Sequence, residues 1–270
     1  TVFYKLANEM WLKDGGLTPS GTPAEAMYTA ARDFGLGKKT GIDIPGETTG
    51  RVVGREQKKV DYIERKDDFC RRATEGYPEV KPADRAALLQ SYAKDFCAEG
   101  DKFRAGDALN FAIGQGDTVV TPLQMNMVYS AIANGGTLWK PTVAKAAVTR
   151  EGELRKEFEP SSNGNVTASD STLSFLRKAL SQTTVTGTAS GAFRGFPLGQ
   201  VPVAAKTGTG EVVGKASTSW FTSFAPANSP KYAVTCMVSQ GGTGAGTCGP
   251  SVRAIYEALL GVNGTSVSPG

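Results

Sequence analysis

The chain has 270 residues, of which 40% are hydrophobic and 21% are charged, and its formal net charge is +4. This composition is sufficient for a folded core and does not indicate a nucleic-acid-binding protein, in which lysine and arginine cluster on one face. The sequence contains no histidine, which excludes a Ser-His-Asp triad and a Cys-His dyad and disfavours a zinc site. We expect neither a metal ion nor a cofactor, and any nucleophilic catalysis would need lysine as its base.

The first half of the chain is predicted to be mainly helical. Apolar residues at Val2, Leu6 and Met10 have helical spacing. We interpret them as part of an N-terminal helix that begins upstream of Thr1, and the alternative is that Thr1 is the cap of the helix. The run Thr-Pro-Ala-Glu at 22–25 has the pattern of a capping box with proline at the first helical position. A second helix is therefore predicted to begin there and to stop at Gly35.

The segment 55–105 is the most charged part of the chain. One helix is predicted within it, over residues 82–94, because apolar residues recur there at helical spacing. We interpret the segment as an insertion on the surface of a domain that covers residues 1–262. The remaining residues, 263–270, are expected to form a flexible tail.

The second half of the chain begins with helices and continues with strands. Two caps predict helices, the run Thr-Pro-Leu-Gln at 121–124 and either Asp170 or Ser171. After them, alternating apolar residues predict strands at 201–208, 220–225 and 232–238, and a glycine-rich loop then leads to a helix from Pro250 to Gly261. Helices followed by antiparallel strands and a closing helix indicate an α+β fold, in which helices flank an antiparallel sheet.

Four cysteines form two couples that are close in sequence, Cys70 with Cys97 and Cys236 with Cys248. No C-x-x-C pattern occurs, so a metal or thioredoxin-like site is a weak interpretation. An even number of cysteines in local couples suits two disulfides formed in an oxidising compartment. Of the three possible connectivities we favour the two local pairs, with four free buried thiols as the alternative.

Four ordered blocks resemble the transpeptidase domain of class B penicillin-binding proteins, and the penicillin-binding protein 2 group in particular. The resemblance covers residues 1–260 and is poor over 55–105. The blocks are Gly-Leu-Gly at 35–37 with Thr-Gly-Ile-Asp-Ile-Pro-Gly-Glu at 40–47, Ile-Gly-Gln-Gly-Asp at 113–117 with Thr-Pro-Leu-Gln at 121–124, Lys-Thr-Gly-Thr at 206–209, and Thr-Ser-Trp-Phe at 218–221 with Phe-Ala-Pro-Ala at 224–227.

The resemblance implies a penicillin-binding or serine β-lactamase-like fold that is incomplete on its N-terminal side. In the family, the Ser-x-x-Lys and Ser-x-Asn motifs precede the Ile-Pro-Gly-Glu block, so the matching positions are expected upstream of Thr1. The chain is then the C-terminal part of the domain and inactive by itself. The parent protein is expected to be extracytoplasmic and anchored by an N-terminal membrane helix. Its implied partners are peptidoglycan stem peptides, β-lactam antibiotics, the missing N-terminal part and the cell-wall synthesis machinery, with no nucleic acid.

The resemblance also assigns roles to the Lys-Thr-Gly-Thr block. The family reaction is acyl transfer from a D-Ala-D-Ala stem peptide to an amine through a serine acyl-enzyme. Lys206 is expected to face the substrate carboxylate, and the hydroxyls of Thr207 and Thr209 to bind it. Gly208 leaves room for the substrate backbone, and the Thr209 backbone N–H is expected to be half of the oxyanion hole.

Two short matches inside the chain are alternatives for the missing motifs, Ser91 with Lys94 and Ser162 with Asn163. A nucleophile of this kind sits at a helix start, whereas Ser91 falls late in its predicted helix and Ser162 falls in a predicted turn. We therefore prefer neither. The competing functions are a non-catalytic binding or sensor module of the same fold and a serine β-lactamase, for which no water-activating motif is visible. Trp220 is expected in the core.

Overall fold

The structure is a computed structural model that describes residues 1–212 and 214–262. The predicted tail at 263–270 lies outside the described residues. The helices are α1 Val2–Lys13, α2 Ala26–Asp33, α3 Arg55–Glu75, α4 Ala83–Glu99, α5 Ala105–Ala112, α6 Pro122–Asn134, α7 Asp170–Val185 and α8 Gly249–Leu260, with a π-helix at Gly244–Cys248. The strands are β1 Thr137–Trp139, β2 Ala146–Val148, β3 Leu154–Glu157, β4 Ser162–Asn165, β5 Ala204–Gly210, β6 Thr218–Ala225 and β7 Tyr232–Val238.

The chain divides into two compact units. Unit 1 comprises residues 1–30 and 51–118, and unit 2 comprises residues 31–50 and the chain from Val119 onward. The charged segment 55–105 belongs to unit 1. Among the described helices, none combines the length and the apolarity needed to cross a bilayer.

Unit 1 is helical, and its largest feature is the pair α3 and α4, which pack against each other. The predicted disulfide Cys70–Cys97 joins them across a Cα–Cα distance of 4.8 Å. Cys70 lies inside α3 and Cys97 inside α4. Sequence analysis missed α3 because its buried residues are Arg55 and Asp61, so no apolar stripe marks the helix.

The second predicted helix begins later than its capping pattern indicated. The carboxylate of Asp14 accepts the backbone N–H groups of Ala24 and Glu25, each at 3.2 Å. Glu25 has a φ of 44°, which is a left-handed conformation that interrupts a helix. The helix therefore starts at Ala26, and the predicted capping box at 22–25 is wrong.

Unit 2 is built on the antiparallel sheet β5-β6-β7, with β6 in the centre. Its apolar residues form two buried clusters. One contains Phe193, Val203, Phe221, Val252 and Tyr256, and the other contains Ile132, Leu173, Ala204 and Phe224. Helix α8 contributes to the first cluster, and α6 and α7 contribute to the second. The predicted α+β fold with helices flanking an antiparallel sheet is confirmed.

The ends of the helices in unit 2 agree closely with the sequence signals. Thr121 Oγ1 accepts the N–H of Gln124 at 3.1 Å and Gln124 Oε1 accepts the N–H of Thr121 at 3.0 Å, so the second capping box is confirmed. Ser169, rather than Asp170 or Ser171, caps α7.

Two short antiparallel strand pairs, β1-β4 and β2-β3, were not predicted. Strand β4 occupies the segment that was expected to be a turn.

The loop at 38–49 is held by partly buried hydrogen bonds. The amide nitrogen of Gln124, which is 2% exposed, donates to the carbonyls of Lys38 and Thr49 at 2.7 Å each. Glu47 accepts the N–H and the hydroxyl of Thr40 at 2.5 and 2.6 Å. Burial alone would raise the pKa of Glu47, but these hydrogen bonds outweigh it and lower the pKa. The loop therefore depends on an ionised Glu47 for its closure.

We expect Glu47→Gln to lower the free energy of unfolding by about 1–3 kcal/mol at pH 7, because an amide cannot accept all of these hydrogen bonds. The lowered pKa means that ionised Glu47 stabilises the fold above its usual pKa of about 4.3, and that this stabilisation is lost as the pH falls through the lowered value. Urea denaturation between neutral and acidic pH should show the difference from the parent chain shrinking on acidification. Glu151→Gln, in an exposed turn of the same unit, is the matched control. A pH-independent difference would contradict the assignment.

Candidate functional site

The Lys-Thr-Gly-Thr block lies on β5, which is an edge strand of the described three-stranded sheet. Lys206 is in register with Thr222 of β6, and Gly208 is in register with Trp220. The strand is fully buried at Ala204 and becomes accessible from Lys206 onward. Because side chains alternate along a strand, Lys206 and Gly208 lie on one face of β5 while Thr207 and Thr209 lie on the other. The structure thus places all four predicted site residues on one accessible stretch of backbone.

Hydroxyl groups at the end of α7 hold β5 at two points. Thr184, which is 1% exposed, donates its hydroxyl to the carbonyl of Val203 at 2.8 Å. Four residues further along each segment, the hydroxyls of Thr188 and Thr207 lie 2.6 Å apart. These contacts keep β5 in a defined position relative to α7 and orient the Thr207 hydroxyl.

Lys206 is the exposed cation of this stretch. Its Nζ donates to the carbonyl of Thr207 at 2.8 Å. An ammonium group has three donors, so this contact leaves donors that can reach a bound anion. The strand thus carries a positive charge on one face and two threonine hydroxyl groups on the other, and each of these groups can bind a carboxylate at the strand edge.

Two glycines allow the backbone of the glycine-rich loop to approach the sheet closely. A Cβ atom on Gly244 would lie 2.1 Å from the carbonyl oxygen of Trp220 and 2.7 Å from that of Gly208. A Cβ atom on Gly208 would lie 3.0 Å from the Cβ of Trp220. Only glycine therefore fits at position 244.

Trp220 is half-buried and belongs to neither core cluster, contrary to the expectation that it is a core residue.

The glycine-rich loop is also fastened to the sheet by side chains. The Ser219 hydroxyl donates to the carbonyl of Thr243 at 3.0 Å, and Ser219 is in register with Thr209. The predicted disulfide Cys236–Cys248 links β7 to the end of the π-helix with a Cα–Cα distance of 5.7 Å. The loop is thus attached to β6 and β7 directly behind the strand that carries the site.

Ser91 and Ser162, the two serines that match the missing motifs, do not lie where the family motifs would require. Ser91 is exposed in the middle of α4, and Lys94 is exposed on the same helix. Ser162 begins β4, and the side-chain amide of Asn163 donates to the carbonyl of Thr40 at 2.8 Å. Neither serine lies at a helix start. Across residues 1–212 and 214–262, no three Cys, Asp or Glu side chains are grouped so that they could hold a metal ion.

Sequence analysis missed two residues of the site, Thr188 and Gly244. Thr188 lies beyond the end of α7, in a turn with no strand or helix pattern. Gly244 is one of several glycines in the segment 241–249, and nothing in the sequence distinguishes it from its neighbours. Both act through contacts with residues far away in the sequence, which only the folded structure reveals.

Comparison with known proteins places these features in a family. The penicillin binding protein transpeptidase domain matches residues 1–259. The peptidoglycan D,D-transpeptidase MrdA of Acinetobacter baumannii is 25% identical over 275 residues, which are 96% of this chain and 33% of MrdA. The stage V sporulation protein D of Bacillus subtilis is 29% identical over 215 residues, which are 78% of this chain and 26% of that protein. The chain therefore spans about a quarter to a third of the length of these curated relatives.

Solved structures agree with this match. Penicillin-binding protein 2 (PBP2) of Helicobacter pylori, determined in complex with MreC, gives a TM-score of 0.63 at 25% identity over 96% of this chain and 38% of that chain. PBP2 of Pseudomonas aeruginosa in complex with WCK 5153 gives a TM-score of 0.64 at 24% identity over 96% of this chain and 46% of that chain. This second comparison supports the fold of the chain and nothing more. The relatives of the 270-residue chain include PBP2-type class B proteins, and the chain belongs to the penicillin-binding protein transpeptidase domain family.

Proposed function

We propose that this chain supplies the carboxylate-binding side of the active site of a peptidoglycan D,D-transpeptidase. The observation that carries the proposal is the placement of Lys206, Thr207, Gly208 and Thr209 on one accessible edge strand. The family match over residues 1–259 and the named activity of MrdA support it. The reaction is acyl transfer, in which a serine attacks a D-Ala-D-Ala stem peptide and an amine from a neighbouring strand resolves the acyl-enzyme.

The chemistry of β5 fits the C-terminal carboxylate of such a peptide. Lys206 provides the positive charge, and the Thr207 hydroxyl, oriented by Thr188 at 2.6 Å, provides a hydrogen bond. An edge strand also lets an extended substrate lie antiparallel to it through backbone hydrogen bonds. In this arrangement Gly208 leaves space for the substrate and Thr209 adds a second hydroxyl.

The backbone N–H of Thr209 is proposed as one donor of the oxyanion hole. A backbone donor is useful in this position only if the strand does not move when charge develops on the carbonyl oxygen. The attachments at Ser219, Gly244 and Cys236–Cys248 support such rigidity. Loss of one oxyanion donor typically costs about 3 kcal/mol of barrier.

We further propose that the serine nucleophile lies outside these 270 residues, so that the chain by itself is inactive. Ser91 and Ser162 lack a helix-start position, which supports this proposal. The parent protein is then extracytoplasmic and anchored to the membrane, which agrees with two disulfides. Its proposed partners are stem peptides, β-lactams, the remaining part of the domain and cell-wall synthesis proteins of the MreC kind, since a PBP2 relative was solved with MreC.

A fluorescent penicillin tests the proposal. We expect covalent labelling of a longer protein that carries these residues with the preceding part of the domain, and no labelling of the 270-residue chain. Ser91→Ala in the longer protein should leave the labelling unchanged. Failure of the longer protein to label at any concentration would favour the alternative, a non-catalytic binding or sensor module of the same fold.

Substitution of Lys206 should weaken recognition of the carboxylate. We expect Lys206→Ala in the longer protein to slow labelling by about ten-fold or more, because a charge-assisted hydrogen bond contributes roughly 1.5–3 kcal/mol. Lys206→Arg should retain more activity because it keeps the charge. Lys231→Ala, an exposed lysine just before β7, is the matched control and should label like the parent. Equal rates for Lys206→Ala and Lys231→Ala would rule out the assigned role.

Two glycine-to-alanine substitutions test the close contact between the glycine-rich loop and the sheet that positions β5. Gly244→Ala should lower the free energy of unfolding by about 1–3 kcal/mol or more, because the clash is with backbone atoms that cannot rotate away. Gly210→Ala is the matched control, since its Cβ would lie 3.7 Å from the nearest atom, and it should change stability by about 0.5 kcal/mol or less. Urea denaturation of the 270-residue chain measures both. Similar stabilities for the two variants would disprove the close approach.

A further inference from the structure

Unit 1 contains a cavity with mainly apolar walls. The cavity is small, with a volume of about 30 Å³ for the centre of a water-sized sphere, and it opens to solvent. Aromatic and methionine side chains form most of the lining, namely Met10, Trp11, Met27, Tyr28, Phe103 and Phe111. Three charged residues also line it, Asp14, Glu25 and Arg55. Small-molecule sites combine apolar walls with a few polar groups in this way.

The arginine of this cavity is buried without a full set of partners. Arg55 is only 7% exposed, and its buried Nε atom makes no hydrogen bond. Its guanidinium lies 5.5 Å from the centre of the Phe103 ring and forms no ion pair with any carboxylate in the part of the chain that the structure describes. A buried guanidinium that lacks a partner is costly, so the cavity offers an anionic group a strong binding position.

The two carboxylates of the cavity have spare acceptor capacity. Asp14 accepts the N–H groups of Ala24 and Glu25 through one oxygen each, and Glu25 Oε1 accepts the N–H of Arg55 at 2.8 Å. Each carboxylate oxygen can accept a further hydrogen bond. Glu25 is also held at a φ of 44°, and strained backbone of this kind concentrates at binding and catalytic sites.

We propose that this cavity binds a small zwitterion, a free α-amino acid with a small apolar side chain. The lining carries one positive and two negative groups, so a simple anion would meet two carboxylates and a simple cation would meet the guanidinium. A zwitterion satisfies both, with its carboxylate on Arg55 and its ammonium group between Asp14 and Glu25. The apolar side chain of the bound amino acid then contacts Trp11 and Phe111. The proposal goes beyond the transpeptidase activity and does not depend on it.

The test uses the 270-residue chain with Trp139→Phe and Trp220→Phe, so that Trp11 is its remaining tryptophan. D-alanine and L-alanine are titrated at constant ionic strength, with propionate and ethylamine as analogues that keep one charge each. We expect at least one alanine enantiomer to change the Trp11 emission with a dissociation constant in about the millimolar range or tighter. Each analogue should bind about ten-fold more weakly or worse. Propionate binding as tightly as alanine, or no response to either enantiomer, would overturn the proposal.

Substitutions in the cavity complete the test. Arg55→Met should weaken alanine binding by about ten-fold or more, and Glu25→Gln should weaken it in the same direction. The matched control is Arg85→Met, since Arg85 also has a buried Nε without a partner but does not line the cavity. Circular dichroism checks that each variant is folded. If Arg55→Met does not fold, the comparison of alanine with its analogues on the chain with intact cavity residues decides the question. Unchanged binding by folded Arg55→Met would refute the site.

Discussion

Burial of strand β6 is the constraint on which the rest of unit 2 depends. Phe221 and Phe224 are both 0% exposed, and they belong to different core clusters. Residues three apart on a strand face opposite sides, so β6 has to lie between two apolar layers. Each phenylalanine contributes about 1.5–3 kcal/mol by its burial. Any displacement of β6 would open both layers at once, which makes this strand a rigid reference for its neighbours.

The accessible stretch of β5 derives its position from this strand and from one close backbone contact. Ala204 and Ala205 anchor the start of β5 in the two clusters, and packing then ends where Lys206 begins. Beyond that point the strand is held by its pairing with β6, by the hydroxyl of Thr188 and by the loop at Gly244. A binding edge needs accessible side chains on a fixed backbone, and supporting β5 from behind satisfies both needs.

Sequence reasoning was accurate where a residue's role follows from its local pattern. The capping box at 121–124 and the alternating strand at 232–238 have strong signals, and both are confirmed. It failed where a distant residue decides the local structure, as when Asp14 and the strained Glu25 shift the start of α2. The block at 206–209 could be found from its residues and order, whereas Thr188 and Gly244 depend on contacts that no spacing encodes. The roles assigned to the block itself stay predictions.

In the charged segment 55–105, the physical contacts of the residues are more informative than the family resemblance. The resemblance is poor over 55–105, and there the packing of α3 on α4 relies on the Cys70–Cys97 link and on aromatic contacts around Phe96. Helix α3 has no apolar stripe, and some of its charged residues have ion-pair partners, as Arg72 has in Glu79. Arg55, at the start of α3, is buried without an ion-pair partner among the described residues. Such a residue lowers stability unless something binds it, so the proposed ligand would offset the cost of burying this charge.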